Sequence, residues 1–414
     1  MKQLPFIEIK SAMPLKLALP ILFLVFVNIS SCHIDKNPEI DQMSKVDNMV
    51  FKLQEALDDW RENEHITGAN MSVLFDATNS TINLVSGNSK LTIDPTRFSN
   101  TPLTIDQPMF VGDITHVLIA AKVIELAEQN LVQLNQTIKI WFPTIENAER
   151  ITIRNLLEHT SGVPVFYTEE FLNQIYDKNP NFISSPEQVI DIAAKRGSFF
   201  DPSTKYGYSK TNFIILGRII EIVTNTPIET VLRNTFFYPL GMNDTYLAGR
   251  EDIPGGVPGG YEYVGPNSIA PTEIEGHVPQ SPTPSVISAE WTSGALVSTP
   301  RDLLKLIQSI FCDPKYSRIR SEIIKPSIHP AQTGSTIIDS GAGVFIWNDY
   351  GEQTIGQFGF IYPFSAQFII WTESKIAVVV IANEVDSSKN PNSNFQLPTI
   401  ENLTSKVREI IVNN

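Results

Sequence analysis

The spacing of apolar residues along the chain predicts strands towards both ends and helices between them. Residues 46–64 repeat apolar positions at helical intervals, and two strand-like runs follow, ANMSVLFD and STINLVSG, joined by a turn at 77–80. Helical periodicity then dominates residues 113–235. The last third returns to strand-like runs, AGVFIWND, EQTIGQFG, FSAQFIIWTES and KIAVVVIANE, and a helix over residues 398–412 closes the chain.

This order predicts an α/β (α+β) fold in which one antiparallel sheet is built from both chain ends and flanked by helices. We expect a sheet lobe from residues 46–110 and 290–414, an inserted helical lobe at 111–250, and a Gly/Pro-rich irregular loop at 251–289. A cleft between two lobes is a natural place for a site. Because long irregular segments are usually functional or mobile, the loop should lie over or beside that cleft.

The N-terminus has the pattern of a targeting signal. After Met13 and Lys16, an apolar run too short to span a bilayer precedes Ile29–Cys32, which resembles the lipidation box of bacterial lipoproteins. We therefore predict a lipoprotein signal peptide over 1–31, lipidation of Cys32 and a tether over 32–45, with either Met1 or Met13 as the start. The alternative is a plain signal peptide with a chance cysteine.

Lipidation would place the protein in a bacterial cell envelope. In a bacterium with two membranes we expect the outer membrane or the periplasm, because His33 rather than aspartate follows Cys32. The only other cysteine is Cys312, so an acylated Cys32 precludes an intrachain disulfide. Cys312 ends an apolar helical run and is predicted to be a buried free thiol.

Composition narrows the function further. The 414 residues include 42% hydrophobic and 18% charged residues with a net charge of -14, which fits a globular protein and makes nucleic acid an unfavourable partner. A P-loop and a glycine-rich dinucleotide fingerprint are both absent from the sequence, so no cofactor is predicted. The histidines are also not spaced as a zinc site requires; they are His33, His65, His116, His159, His277 and His329.

Four stretches in sequence order resemble the serine beta-lactamase and penicillin-binding protein family, in particular its class C beta-lactamase and D-alanyl-D-alanine carboxypeptidase-like branch. They are ITIRNLLEHTSGVP (151–164), KYGYSKTNFIILGRIIEIVTNTPIE (205–229), FFYPLGMNDTYL (236–247) and TSGALVSTPRDLLKLI (292–307). The resemblance extends over about residues 46–385 and implies a beta-lactamase/transpeptidase-like fold. It also implies that the segment EHTSG packs beneath the site as structure.

The resemblance assigns three motifs, and all three are altered. In Ser-x-x-Lys the serine is the nucleophile and the lysine takes part in proton transfer; here Asp113 and His116 occupy those places in GDITH. In Tyr-x-Asn, Tyr208 is kept and Lys210 replaces the asparagine. The third motif, Lys-Thr-Gly or His-x-Gly on a strand lining the site, reads GQFG, with Gln357 and Gly359 at the binding positions.

A shifted alignment does not restore the nucleophile, because no lysine in the chain has a serine three residues before it. Removing the nucleophile of a serine hydrolase costs on the order of 10⁶ in turnover. The resemblance therefore predicts a catalytically inactive member whose cleft binds a peptidoglycan fragment, a peptide or an envelope protein. The alternative is a hydrolase that acts on an amide or ester by altered chemistry, with Asp113 and His116 as acid and base.

The replacements in the first two motifs include one acidic residue, Asp113, and one basic residue, Lys210. If the family geometry holds, Lys210 faces Asp113, and an ion pair would keep both charged in a cleft where either alone is costly to bury. The other interpretation of Asp113 is a helix N-cap, and the two can coexist. His116 is predicted to be a satisfied, partly buried histidine rather than a catalytic base.

Overall fold

The computed structural model describes residues 38–75, 80–92, 100–167, 178–265, 276–333, 336–386, 388 and 400–414. The predicted signal peptide, Cys32 and most of the predicted turn at 77–80 lie outside the described residues. Within the described ranges, every helix is too short or too polar to cross a membrane.

Fifteen strands are present in the described residues, most of them near the chain ends. They are β1 Gly68–Leu74, β2 Thr81–Lys90, β3 Thr101–Pro102, β4 Met109–Phe110, β5 Tyr246–Leu247, β6 Gly260–Tyr263, β7 His277–Gln280, β8 Leu296–Ser298, β9 Ala331–Thr333, β10 Thr336–Ser340, β11 Phe345–Asp349, β12 Glu352–Ile361, β13 Phe364–Trp371, β14 Ile376–Ala382 and β15 Glu384–Asp386.

The helices lie mostly between these two groups of strands. They are α1 Pro38–Asn63, α2 Thr115–Glu128, α3 Ile153–Leu157, α4 Pro186–Ala194, α5 Thr211–Thr224, α6 Ile228–Leu232, α7 Tyr238–Leu240, α8 Pro284–Gly294, α9 Pro300–Cys312, α10 Ser317–Ile323 and α11 Ile400–Val412. A 3₁₀ helix, Gly112–Ile114, leads directly into α2.

The main sheet joins the two ends of the chain. Its order is β3-β2-β1-β14-β13-β12-β11-β10-β9, and β1 pairs antiparallel with β14 from Ala69 opposite Ala382 to Leu74 opposite Ala377. This confirms the predicted fold class, a mixed α/β architecture whose antiparallel sheet is built from both termini and flanked by helices.

Both faces of the central strands are covered. Along β14, Val378 and Val380 belong to a core formed with α1 and α11, whereas Val379 and Ile381 belong to a larger core shared with the helical lobe. A strand buried on both faces reads as a continuous apolar run, which explains KIAVVVIANE. Because β14 supports both cores, its register fixes the sheet against both helical layers.

Two segments differ from the sequence prediction. Helix α1 begins at Pro38 rather than Val46, so the end of the predicted tether is helical. The Gly/Pro-rich segment is not wholly irregular, because β6 and β7 form a hairpin in it and β6 also pairs in parallel with β15. A local pattern could not reveal β6, since its second partner lies far along the chain.

The hairpin lies beside the turn between β12 and β13. The Tyr362 hydroxyl donates to a Glu262 carboxylate oxygen at 2.5 Å, and a Cβ added at Gly260 would lie 2.6 Å from the Pro363 ring. This contact places the segment next to the end of β12.

Two glycines allow the 3₁₀ helix that contains Asp113 to lie directly against β12. A Cβ on Gly359 would lie 1.8 Å from the Val111 carbonyl oxygen, and one on Gly112 would lie 2.1 Å from the Phe360 nitrogen. Gly112 also has φ +50°, which favours glycine. The backbone around Asp113 is therefore in direct contact with β12, and this contact sets the position of the candidate site.

Candidate functional site

Asp113 lies in the 3₁₀ helix before α2 and does not cap either helix. The cap residues are Val111 for the 3₁₀ helix and Ile114 for α2, and neither start has a side-chain capping hydrogen bond. Instead, the Thr115 hydroxyl donates to the Gly112 carbonyl at 2.6 Å. The N-cap interpretation of Asp113 is therefore wrong.

The Asp113 carboxylate pairs with Lys210. Asp113 Oδ1 lies 3.0 Å from Lys210 Nζ, and the two side chains are only 16% and 12% exposed. Lys210 immediately precedes α5, so this pair joins the starts of two packed helices. The predicted ion pair is present, and it is largely withdrawn from water.

Lys210 has a second anionic partner that the sequence interpretation missed. Its Nζ lies 2.9 Å and 3.1 Å from the two carboxylate oxygens of Glu290, and it donates to the Phe360 carbonyl at 3.2 Å. An ammonium group has three N–H donors. The two Glu290 oxygens and the Phe360 carbonyl therefore accept the hydrogen bonds of the ammonium, whereas Asp113 Oδ1 contacts it as an ion pair and has no hydrogen-bond partner among the described residues.

Glu290 is held in place from several sides. Its side chain is 2% exposed, the Tyr167 hydroxyl donates to Oε1, and the Ser293 hydroxyl lies 3.0 Å from Oε2. The next residue, Trp291, has φ 34° and ψ -114° inside α8. Such a conformation costs about 1–3 kcal/mol, which the surrounding packing must offset. One sequence signal was available: Glu290 is a lone carboxylate in the largely apolar run SVISAEW.

The pKa values at this cluster are set by burial and by the neighbouring charges. Burial raises the pKa of Asp113, and the ammonium of Lys210 only partly opposes it. For Lys210, burial lowers the pKa, but the carboxylates of Asp113 and Glu290 outweigh it and raise the pKa above its ordinary value. The Tyr208 ring is 40% exposed, but its hydroxyl is buried, and this burial together with the neighbouring charge of Asp113 raises the pKa of Tyr208 well above its ordinary value. Tyr208 therefore remains protonated beside the carboxylate.

His116 is buried beneath this cluster rather than exposed in the cleft. Its side chain is 0% exposed, and its ring stacks on Phe213 with centroids 3.7 Å apart and planes 7° apart. Nε2 lies 3.9 Å from Asp113 Oδ1, too far for a hydrogen bond. Burial and the charge of Lys210 lower the pKa of His116 well below its ordinary value, although the Ser293 backbone partly opposes this shift. His116 is therefore a neutral core imidazole, and the prediction of a satisfied, partly buried histidine is wrong: the ring is fully buried, and neither of its nitrogens has a hydrogen-bond partner among the described residues.

A second buried imidazole supports the Tyr208–Lys210 segment. His159 Nδ1 accepts from the Ser209 backbone N–H at 3.2 Å, and the His159 carbonyl accepts from the Gly207 N–H at 2.8 Å. The Ser161 hydroxyl, from the same EHTSG segment, donates to Asn212 Oδ1 at 2.7 Å. These contacts agree with the structural role predicted for EHTSG.

The Gln357 side chain of the third motif points into the protein interior. Gln357 is 4% exposed; its Nε2 donates to the Gly343 carbonyl, and its Oε1 accepts from the Phe358 N–H, both at 3.0 Å. Gly359 is packed against the Val111 carbonyl and serves the close approach of β12. A ligand-binding role for Gln357 and Gly359 stays a prediction.

The remaining candidate side chain from the sequence is Cys312. Cys312 is a free, partly buried thiol at the end of α9, and burial raises its pKa. Among the described residues, no three His, Cys, Asp or Glu side chains are arranged to hold a metal ion.

Comparison with known proteins places the chain in a family. A model of the Beta-lactamase family matches residues 92–398, well over half of the sequence. The chain therefore belongs to the Beta-lactamase family. Proteins similar to it include penicillin-binding proteins, a teichoic acid D-alanine hydrolase and a D-amino acid amidase.

The curated relatives are distant. Penicillin-binding protein 4 of Amycolatopsis lactamdurans is 27% identical over 205 residues, covering 48% of this chain and 50% of the relative. Teichoic acid D-alanine hydrolase of Staphylococcus aureus is 21% identical over 286 residues, covering 69% of this chain and 63% of the relative. The chain thus spans less than two thirds of the length of either relative.

Solved structures share the fold more completely. D-amino acid amidase from Ochrobactrum anthropi SV3, complexed with L-phenylalanine amide, is 25% identical with a TM-score of 0.73, covering 88% of this chain and 99% of that chain. Beta-lactamase/D-alanine carboxypeptidase from Pseudomonas syringae has a TM-score of 0.66 at 16% identity, covering 89% and 99%. The latter supports the fold alone.

Removing Lys210 should destabilise the protein more than removing Asp113. Lys210→Ala leaves two buried carboxylates without their cation, so we expect a loss of about 3–5 kcal/mol in the free energy of unfolding. Asp113→Ala leaves Lys210 paired with Glu290, so the loss should be about 1.5–3 kcal/mol. Urea denaturation at pH 7 measures both values.

The matched control is Lys406→Ala, which removes an exposed partner 3.7 Å from Glu409 and should cost about 1 kcal/mol or less. A loss for Asp113→Ala equal to or greater than that for Lys210→Ala would show that Glu290 does not share the cation.

The buried imidazoles should make stability fall in acid. Burial lowers the pKa of both His116 and His159 well below the ordinary value. Below about pH 6.5 these two histidines bind protons in the unfolded chain but remain neutral in the folded protein. The stabilisation is therefore complete above that pH and is lost as the pH falls, by about 1.4 kcal/mol per pH unit for each histidine.

His116→Phe keeps a ring against Phe213 and removes one of the two imidazoles that bind a proton on unfolding. Between pH 6.5 and 5 its stability should fall less steeply than that of the wild type by about 1.4 kcal/mol per pH unit. His116→Gln is the control, since it removes the same proton with a different side chain and should show the same change in slope. Stability curves of unchanged slope for both variants would contradict a neutral folded-state His116.

Proposed function

We propose that the protein is a catalytically inactive member of its hydrolase family that uses the cleft for binding. The observation that carries this proposal is the state of the motif positions: the carboxylate at the serine position is bound to a lysine that has no N–H left for a ligand. Acyl transfer requires an activated nucleophile and a group that takes its proton. Asp113 is a poor acyl acceptor, and His116 is buried away from the cleft.

The ligand classes that we propose are a peptidoglycan fragment, a peptide or an envelope protein. Relatives named as a teichoic acid D-alanine hydrolase and a D-amino acid amidase support a ligand that contains a D-amino acid residue. Tyr208 is 40% exposed and belongs to the same motif segment as Lys210, so it offers a ring for contact.

The alternative, a hydrolase of altered chemistry with Asp113 and His116 as acid and base, has less support. A general base must reach the proton it abstracts, directly or through one water molecule. The His116 ring is stacked on Phe213 with no exposed surface. Asp113 is engaged by Lys210 and Tyr208.

A covalent penicillin probe tests catalytic inactivity. We expect no acyl adduct by intact mass analysis after incubation of the purified protein with a fluorescent penicillin. A stable adduct on the wild type would refute the proposal. Thr115 and Ser209, the nearest hydroxyl-bearing residues in the two motif segments, are 0% and 1% exposed and are poorly placed to react.

A restored variant provides the matched comparison. Asp113→Ser, His116→Lys and Lys210→Asn together recreate the first two family motifs, and Glu290→Gln avoids a buried carboxylate without its cation. Acylation of this variant alone would show that the motif changes account for the inactivity. Acylation of neither protein would indicate that the pocket around Gln357 has also changed, which still supports an inactive wild-type site.

We also propose that the protein is anchored by a lipid on Cys32 in the bacterial cell envelope. The sequence Ile29–Cys32 after an apolar run supports this assignment. Expressed in a bacterium with two membranes, Cys32→Ser should move the protein from the membrane fraction to the soluble fraction or leave its precursor uncleaved. The control Cys312→Ser should change neither. Identical fractionation and processing of wild type and Cys32→Ser would refute lipid anchoring.

A further inference from the structure

The Lys210 ammonium lies against a carboxyl group with which it could react. Nζ is 3.0 Å from Asp113 Oδ1, and both oxygens of a third group, Glu290, lie within 3.1 Å of the same nitrogen. The side chains of Lys210, Asp113 and Glu290 are 12%, 16% and 2% exposed. An amine, a carboxyl group and a proton carrier are thus held together with little water around them.

We propose that Lys210 and Asp113 condense to a side-chain amide, with Glu290 as the group that moves the proton. Lys210 Nζ attacks Asp113 Cγ, a C–N bond forms and one Cγ–O bond breaks. The released oxygen leaves as water with two protons that originate from the ammonium, and the two opposite charges disappear together. Glu290 takes a proton from the ammonium, delivers it to the leaving oxygen and ends as it began.

The positions of the reactants favour this reaction. Holding reacting groups in contact corresponds to effective concentrations of about 10⁵–10⁸ M, which offsets the unfavourable equilibrium of amide formation in water. Burial raises the pKa of Asp113, so its leaving oxygen accepts the protons that Glu290 delivers from the ammonium more readily. The pKa of Lys210 is raised as well, so its nitrogen attacks only after Glu290 has taken one of its protons. Tyr208 stays protonated beside the same carboxyl group and can stabilise the negative oxygen of the tetrahedral intermediate.

The surroundings also favour the product. A buried ion pair must overcome the cost of removing two charges from water, whereas a neutral amide bears little of that cost. After condensation, Glu290 keeps the Tyr167 and Ser293 hydroxyls as donors and gains the new amide N–H in place of the ammonium. The product would join the 3₁₀ helix at Gly112–Ile114 covalently to the start of α5.

Peptide mapping of the purified wild-type protein tests the proposal. Trypsin cuts after Arg97, Lys122, Lys205 and Arg218, so Asp113 and Lys210 fall on separate fragments, 98–122 and 206–218. We expect these fragments to be joined, with cleavage at Lys210 blocked and a combined mass one water molecule below their sum. Separate fragments of unmodified mass in the wild type would overturn the proposal.

Three variants assign the roles. Lys210→Arg keeps a cation beside Asp113 and should abolish the joined fragment and the water loss; retained water loss would indicate a succinimide at Asp113 and overturn the proposal. Glu290→Gln should slow joining by about 10²-fold or more, and joining at the wild-type rate would overturn the role of Glu290. Lys122→Arg alters another lysine paired with a carboxylate, Glu125 at 2.8 Å, and should leave the Asp113–Lys210 joining intact. A penicillin adduct would not change these readouts, so failure here is distinct from failure of the inactive-site proposal.

Discussion

The pairing of one buried ammonium with two carboxylates determines how the site is built. Lys210, Asp113 and Glu290 come from three parts of the helical region. The carbonyl of Phe360, near the C-terminal end of β12, accepts a hydrogen bond from the same ammonium. A buried charge needs nearly complete compensation, since an unpaired one costs several kcal/mol. Each of these segments therefore has to keep its position for the others to remain satisfied. The glycine contacts between Gly112 and β12 make this geometry possible, because any side chain there would separate the helix start from the strand.

Much of the architecture follows from local pattern. The continuous apolar run of β14 indicates a strand covered on both faces, and the alternating burial of β2 reflects a strand covered mainly on one. Joining strands from both ends into one sheet required only that neither group could bury its apolar surface alone. The family resemblance then located Asp113, Tyr208 and Lys210, and the exchange of charge between Asp113 and Lys210 was sufficient to predict their contact.

The missed features depend on contacts between distant residues. Glu290 lies 80 positions after Lys210, so sequence spacing does not connect the two. Only the general rule that a buried carboxylate needs a cation could have linked it to the site. Gln357 shows the opposite failure: motif position suggested a side chain facing a ligand, but the carbonyl of Gly343 offers its amide a partner inside the protein. The β6–β7 hairpin was hidden because glycine and proline predict turns and say little about a strand partner supplied by β15.

The replacements at the site leave no free cation at the motif positions. Lys210 is paired with Asp113, and its hydrogen bonds to Glu290 and Phe360 leave the ammonium with no donor for an anionic ligand. Gln357 replaces the remaining basic motif residue and is itself bonded inward. Two carboxyl groups thus face one ammonium, so a ligand carboxylate directed at this cluster would meet acidic groups and no available cation. In the binding role proposed above, recognition therefore depends on the exposed ring of Tyr208 and on neutral or cationic groups of the ligand.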